Sequence, residues 1–346
     1  MMKNLKKTDP QIYELVKQEE KRQKEVLEMI PSENYTSQAV MEALGTVLTN
    51  KYSEGFPGKR YYQGNAVADS VESLAQERAC KLFGVPYVNV QPLSGSPANS
   101  AVYFAALENG QKIMGLSLPM GGHITHGHKL GLSGRLFTFA HYELGSNDKL
   151  DYDAIEKAVL KEKPALLICG FTAYSRKIDF KLCGAIADKA GCYLMADISN
   201  ITGLIVEGVH PSPVPYAHII TTTTHKTLRG PRGAMIMVTE KGLKKNPDLP
   251  KKIESAIIPG LQGGPHDNQT AAIAVALKEA STASFKKYGQ QIVDNAVALA
   301  TELKQLGFDV VSGGTDNHLI LLDLRNKKVN GRVAAIALEK AGIVLN

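Results

Sequence analysis

A chain of 346 residues, 44% hydrophobic and 21% charged, is long enough for more than one domain and a large buried core. No apolar run approaches the ~18 residues of a membrane-crossing helix, and the basic start Met1-Met2-Lys3-Asn4-Leu5-Lys6-Lys7 leads to Asp9, Glu14, Glu19 and Glu20 rather than to an apolar stretch, so a soluble cytoplasmic protein without secretion or organelle import is expected. The net charge of +6 is dispersed and no basic stripe is interleaved with aromatics, which argues against nucleic acid and for an anionic small-molecule clientele.

Residues 8–28 are polar with apolar positions at Ile12, Leu15, Val16, Val26 and Leu27, the pattern of an amphipathic N-terminal helix or arm. From about residue 65, apolar runs alternate with helical patterns. The runs are Tyr87-Val88-Asn89-Val90, Lys112-Ile113-Met114-Gly115-Leu116, Ala165-Leu166-Leu167-Ile168-Cys169, Tyr193-Leu194-Met195-Ala196, His218-Ile219-Ile220 and Ala234-Met235-Ile236-Met237-Val238. Near-continuous apolar strands separated by helices predict an α/β fold with a mostly parallel sheet covered on both faces. The last run follows its neighbour across a Gly-Pro-Arg-Gly turn too short for a parallel crossover, so it is expected to be antiparallel. A helical pattern from Thr270 to about Leu306 then leads to strand-like Phe308–Val311 and His318–Leu324, a helix over Gly331–Ala341 and a strand beginning at Gly342. The expected division is an arm (1–28), a large domain (29–270), and a linker helix with an incomplete α+β small domain (271–346). Cys80, Cys169, Cys183 and Cys192 have no CxxC spacing and are expected to be buried, reduced thiols; no metal site is expected.

The densest chemistry lies in Thr221-Thr222-Thr223-Thr224-His225-Lys226-Thr227-Leu228-Arg229-Gly230-Pro231-Arg232-Gly233. A lysine at the rim of a sheet, beside hydroxyls and fixed arginines, suits Schiff-base chemistry, because dipoles and nearby cations ease loss of its proton. The strand Gly191–Asp197 ends on a carboxylate, where open α/β sheets place functional groups. Read alone, Asp197 serves equally well as a turn cap; with Lys226 following, it suits the protonated nitrogen of a pyridine ring.

At these residues the chain resembles the serine hydroxymethyltransferase family. The likeness also runs through Met29-Ile30-Pro31-Ser32-Glu33-Asn34, Gly121-Gly122-His123-Ile124-Thr125-His126-Gly127 and Pro259-Gly260-Leu261-Gln262-Gly263-Gly264-Pro265, collinear from about residue 8 to residue 346. It implies the fold-type I architecture of pyridoxal-phosphate-dependent transferases, with a seven-stranded sheet, and transfer of the serine hydroxymethyl group to tetrahydrofolate, giving glycine and 5,10-methylenetetrahydrofolate. Pyridoxal 5'-phosphate is implied to be covalent on Lys226, with tetrahydrofolate as co-substrate. The resemblance further implies phosphate binding by Ser94, Gly95 and Ser96, ring contacts from His123, Thr172, Asp197 and Asn200, and a selectivity role for His225. Glu54 is implied as the acid/base for the serine hydroxyl, whereas without the resemblance it reads as a solvent-exposed carboxylate. Tyr52, Tyr62, Gly263 and Gly264 are implied to act across a subunit interface, in a homodimer or a dimer of dimers. Ser32, Glu54, Tyr62, Leu118, Gly122, His123 and Ile124 are the implied substrate-binding set, and Lys226, Glu54, His123 and Tyr62 the catalytic one.

Departures from the family pattern are Leu93, Pro97, Pro119, Met120, Ser175 and Asn200. Asn200 stands where the family has a histidine near the cofactor's phenolic oxygen; it still donates a neutral hydrogen bond but does not titrate. The family's carboxylate-binding arginine is expected beyond Asn346. These features keep two alternatives open: a folate-independent pyridoxal-phosphate aldolase acting on β-hydroxy amino acids, and a truncated non-catalytic partner subunit.

Overall fold

The computed structural model describes residues 2–346. Seven strands form the central sheet: β1 Tyr87–Asn89, β2 Lys112–Leu116, β3 Thr138–Tyr142, β4 Leu166–Cys169, β5 Tyr193–Asp197, β6 Ile219–Thr223 and β7 Ala234–Val238, in the spatial order β1-β7-β6-β5-β4-β2-β3. The pairs along β3, β2, β4, β5 and β6 are parallel, while β7 is antiparallel to both of its neighbours. Six C-terminal strand ends therefore open on one edge, and β7 alone runs the other way, as the short turn before it predicts.

Alternation along the strands divides the core in two. Met114, Leu167, Leu194, Ile220 and Met235 enter one apolar cluster, and Ile113, Ile168, Met195, Ile219 and Ile236 the other, so the period of two buries both faces. The first face is covered by helices that include Ala66–Phe83 and Phe180–Ala190, the second by Gly95–Ala106 and Leu249–Ser255. Burial of each leucine or isoleucine contributes roughly 1.5–3 kcal/mol.

Among the helices, α1 is Pro10–Glu25, α2 Ala66–Phe83, α3 Gly95–Ala106, α4 Phe180–Ala190, α5 Asp267–Ala280, α6 Ala283–Gln305 and α7 Gly331–Lys340. Asp9 starts α1 by accepting from Ile12 N at 3.0 Å, with Pro10 in the first turn, where a missing amide hydrogen costs little. Gly191 ends α4 in the left-handed region (φ 69) and turns the chain into β5, which carries Asp197.

Several features differ from the sequence expectation. Strand β6 continues past the apolar His218-Ile219-Ile220 through Thr221, Thr222 and Thr223, because β-branched residues suit a strand, and the hydroxyls of Thr221 and Thr222 find partners inside. Strand β3 is half exposed at the sheet edge and lacks a continuous apolar run, so its sequence gives no clear signal. The long helical pattern from Thr270 is broken at Ser281-Thr282, where Thr282 Oγ1 caps the new helix by accepting from Phe285 N. Of the run His318–Leu324, only Leu322–Asp323 is strand, paired antiparallel with Asp309–Val310. The final strand, Ile343–Val344, pairs in parallel with Leu27–Glu28 beside the arm.

Candidate active site

The C-terminal ends of β5 and β6 bring Asp197 and Lys226 together. Asp197 is the last residue of β5, in register with Thr221, and Lys226 follows β6 by three residues. Both line a small cavity together with Gly95, Asn99, His123, Phe171, Thr172, Ser199, Asn200 and Thr223.

Asp197 is held on both oxygens. Ser199 donates to Oδ1 from N at 3.1 Å and from Oγ at 2.6 Å, and Asn99 Nδ2 donates to Oδ2 at 2.9 Å. His126 Nδ1 accepts from His123 N at 3.3 Å, which leaves its proton on Nε2. That Nε2 stands 3.4 Å from Asp197 Oδ2, close enough for its N–H dipole to favour the carboxylate but without hydrogen-bond alignment. Burial opposes ionisation of Asp197, yet the neighbouring His126, His123 and Ser199 hold its carboxyl well below the usual carboxylate range.

Asn99 also orients His123. Thr221 Oγ1 donates to Asn99 Oδ1 at 2.8 Å, so the Asn99 amide nitrogen points at Asp197 and, at 2.9 Å, at Thr125 Oγ1. Thr125 Oγ1 lies 2.7 Å from His123 Nδ1, which also accepts from Thr125 N at 3.2 Å. His123 Nδ1 is thus the acceptor and Nε2 carries the proton. Burial lowers the His123 pKa and favours this neutral ring.

Lys226 is 9% exposed. Burial lowers its pKa, with Arg232 acting in the same direction and Asp197 against. Its loop is fixed from the N-terminal segment: Asn34 Nδ2 donates to Lys226 O at 3.0 Å, Thr36 Oγ1 donates to Arg229 O at 3.1 Å, and Tyr288 Oη of α6 donates to Asn34 Oδ1 at 3.2 Å. Those bonds offset the positive φ of Arg229 (60), a conformation that costs about 1–3 kcal/mol outside glycine. Beside Lys226, burial pushes His225 down to about 4, leaving a neutral imidazole.

The remaining predicted residues fall in three places. Ser94, Gly95 and Ser96 stand at the start of α3, whose N-terminus has no side-chain cap. A Cβ on Gly95 would lie 2.8 Å from Thr223 Cγ2, so glycine keeps this approach open. Leu118, Gly122 and Ile124 stand near His123 in the chain, Leu118 and Ile124 exposed and Gly122 buried, and the Gly121 carbonyl accepts from Thr172 N at 2.8 Å to join the two turns. Ser32 follows Pro31, whose carbonyl accepts from His318 Nε2 at 3.1 Å.

Tyr52, Glu54, Tyr62, Gly263 and Gly264 make a separate group. The Tyr52 and Tyr62 rings meet edge to face at 5.3 Å, and both are about half exposed. A Cβ on Gly264 would touch the Tyr52 ring at 3.0 Å, and one on Gly263 would lie 3.7 Å from Glu54 Oε1. No hydrogen bond or ion pair among the described residues runs from this group to Lys226. Buried Arg60 stiffens the segment, donating to Ser53 O and Gly55 O at 2.7 Å each and pairing with Glu72 at 2.6 Å.

Sequence reasoning missed Asn34, Asn99, Thr125, His126, Ser199 and Thr223 as parts of the site. Asn34, Thr125 and His126 stand inside motifs already singled out, so spacing alone pointed to them; Asn99 and Ser199 carry no signal of their own. Asn200 Nδ2 donates to the Phe171 carbonyl at 2.9 Å, and its Oδ1 accepts from Lys226 Nζ at 3.3 Å, so the amide turns its acceptor toward the lysine.

The family described as Serine hydroxymethyltransferase matches residues 5–346. This chain belongs to the serine hydroxymethyltransferase family. It is 54% identical over 345 residues to the serine hydroxymethyltransferase of Desulfotalea psychrophila, covering 100% of this chain and 80% of that one. The protein of the same name from Acidothermus cellulolyticus is 53% identical, over 98% of this chain and 78% of its own. That from Legionella pneumophila (strain Corby) is 52% identical, over 99% and 81%.

Members of the serine hydroxymethyltransferase family are transferases that use pyridoxal phosphate, and the cavity suits such a group. It offers a buried amine, an ionised carboxylate, an uncapped helix N-terminus and Thr223 Oγ1, which is buried without a partner. Among the described residues no cluster suited to a metal ion is present, and no helix is long and apolar enough to cross a membrane.

Proposed function

We propose that this chain performs the serine hydroxymethyltransferase reaction, the reversible transfer of the serine hydroxymethyl group to tetrahydrofolate giving glycine and 5,10-methylenetetrahydrofolate, with pyridoxal phosphate covalent on Lys226. The observation that carries the reading is the meeting of a buried lysine amine and an ionised aspartate in one cavity at adjacent strand ends. When bound, the cofactor supplies an electron sink for the pair released as the serine Cα–Cβ bond breaks. Nζ of Lys226, whose charged form burial disfavours, has the lone pair needed to bond the cofactor's carbonyl carbon. Asp197 would hold a proton on the heterocycle's nitrogen, and neutral His123, with its proton on Nε2, would face the group without a competing charge. Ser94, Gly95, Ser96 and Thr223 bind the phosphate at the start of α3. Ser32, Leu118, Gly122 and Ile124 receive the amino acid and the pterin, and His225 shapes selectivity.

Glu54 takes and returns the proton of the serine hydroxyl. The exposed Tyr52-Tyr62 pair, with Glu54, Gly263 and Gly264, supports a homodimer in which this group from one copy completes the site of the other. We retain the arm, large domain and small domain as functional units in the cytoplasm, and place the linker boundary at the Ser281-Thr282 break, because α5 packs on α2. Membership of the serine hydroxymethyltransferase family gives no support to the folate-independent aldolase or the non-catalytic subunit.

Borohydride reduction of the loaded protein followed by peptide mass spectrometry is expected to place a pyridoxyl group on Lys226 and none on the Lys226→Ala variant. An adduct on another lysine, or none, overturns the assignment. Glycine release from serine that is indifferent to tetrahydrofolate overturns the folate part.

A further inference from the structure

The side chain of Lys226 has one hydrogen-bond partner among the described residues, Asn200 Oδ1 at 3.3 Å. The direction of that amide is set from its far end. Nδ2 donates to the Phe171 carbonyl at 2.9 Å, and a carbonyl oxygen only accepts. Turning the amide over would set two acceptors together at Phe171 and two donors together at Lys226. The backbone beneath is clamped as well: Thr227 Oγ1 donates to Asn200 O at 2.9 Å and accepts from Gly203 N at 3.0 Å. A Cβ on Gly203 would lie 2.3 Å from Thr227 O, so this clamp leaves no slack. Asn200 is 8% exposed, which leaves solvent little access to either end of the amide.

We propose that Asn200 is a positioning residue for Lys226, a neutral acceptor that holds Nζ at the cavity beside Asp197 without the negative charge that would keep the amine protonated. The inference rests on Lys226 as the cofactor-carrying residue and gives Asn200 a task that contact with the cofactor does not supply. An amide oxygen accepts from an ammonium and, less strongly, from an amine. A carboxylate at the same place would favour the ammonium, raising its pKa by about one to three pH units. A group able only to donate would push Nζ away. The other titratable groups acting on Nζ are Asp197, Arg232, His123, His225 and His318, none of which an exchange at position 200 alters.

The test is competitive trace acetylation of Lys226 in the full chain freed of cofactor, read by peptide mass spectrometry from pH 6 to 11, which yields a midpoint for Nζ without any turnover. Asn200→Asp is expected to raise that midpoint by about one to three pH units, slowing labelling at pH 7.5 by about ten- to a thousandfold. Asn200→Leu is expected to lower it, because the charged amine loses its dipole partner. Should the aspartate variant fail to fold by near-ultraviolet circular dichroism, the leucine variant decides alone. Identical midpoints in folded variants and the unsubstituted protein overturn the proposal. The borohydride adduct is measured on the same samples: its absence from Lys226 of the unsubstituted protein overturns the cofactor assignment, while the acetylation midpoints still decide the coupling of Asn200 to Lys226.

Discussion

Glu207 is a buried carboxyl at the junction between the large domain and α6, and its titration is expected to govern how stability depends on pH. It is 4% exposed, its Oε2 has no hydrogen-bond partner among the described residues, and a Cβ on Gly289 of α6 would stand 1.1 Å from that oxygen. Burial raises its pKa from an ordinary 4.5 to about 8, with the Gly289 amide and Arg229 only partly opposing. Because the folded-state value is raised, this carboxyl's contribution to stability is fully present below pH 4.5 and is lost as pH rises through 8. Each pH unit across that window removes about 1.4 kcal/mol, so the protein loses about 2–5 kcal/mol relative to Glu207→Gln, which is neutral throughout. Urea unfolding of both proteins at half-unit steps from pH 5 to 9 measures the difference. Curves that stay parallel across this range would refute a carboxyl held neutral by burial.

The same contact predicts that Gly289→Ala lowers unfolding free energy by about 2–4 kcal/mol, and that Glu207→Ala placed beside it recovers a large part, measured as a double-mutant cycle. Gly95→Ala directs a methyl at Thr223 Cγ2 and is expected to weaken cofactor binding at least tenfold in an absorbance titration, at a cost of about 1–3 kcal/mol in stability. Asn34→Ala removes the amide that ties Lys226 O to Tyr288 and should cost about 1–2 kcal/mol in chemical denaturation. Mixing Lys226→Ala with Glu54→Gln protein is expected to restore activity that neither has alone, since one mixed dimer carries one intact site; no recovery after subunit exchange would show that Glu54 serves its own copy.

Much of the architecture is legible in the amino-acid order, because its determinants are local. Ile219-Ile220 and Ala234–Val238 show the apolar runs that a sheet buried on both faces requires, and the short connection through Gly-Pro-Arg-Gly leaves no room for the dozen or more residues of a parallel crossover. Lys226 and Asp197 stand out as chemical groups at strand ends, where no neighbour in sequence explains them. The orientation of those groups is not legible, because it depends on partners far along the chain. Asn99 takes its direction from Thr221, more than a hundred residues away, and through Thr125 it sets which nitrogen of His123 carries the proton. Asn200 is readable as an amide but not as an acceptor, since its direction depends on a carbonyl just past the end of β4. Strand β3 and the break between α5 and α6 are hidden for a related reason: an edge position and a single capping threonine make little demand on composition. Sequence by itself determined which chemistry is present and which strands form, through patterns a few residues long. Tertiary structure alone decided how buried donors and acceptors are matched, because each must find a partner across the fold when water is excluded.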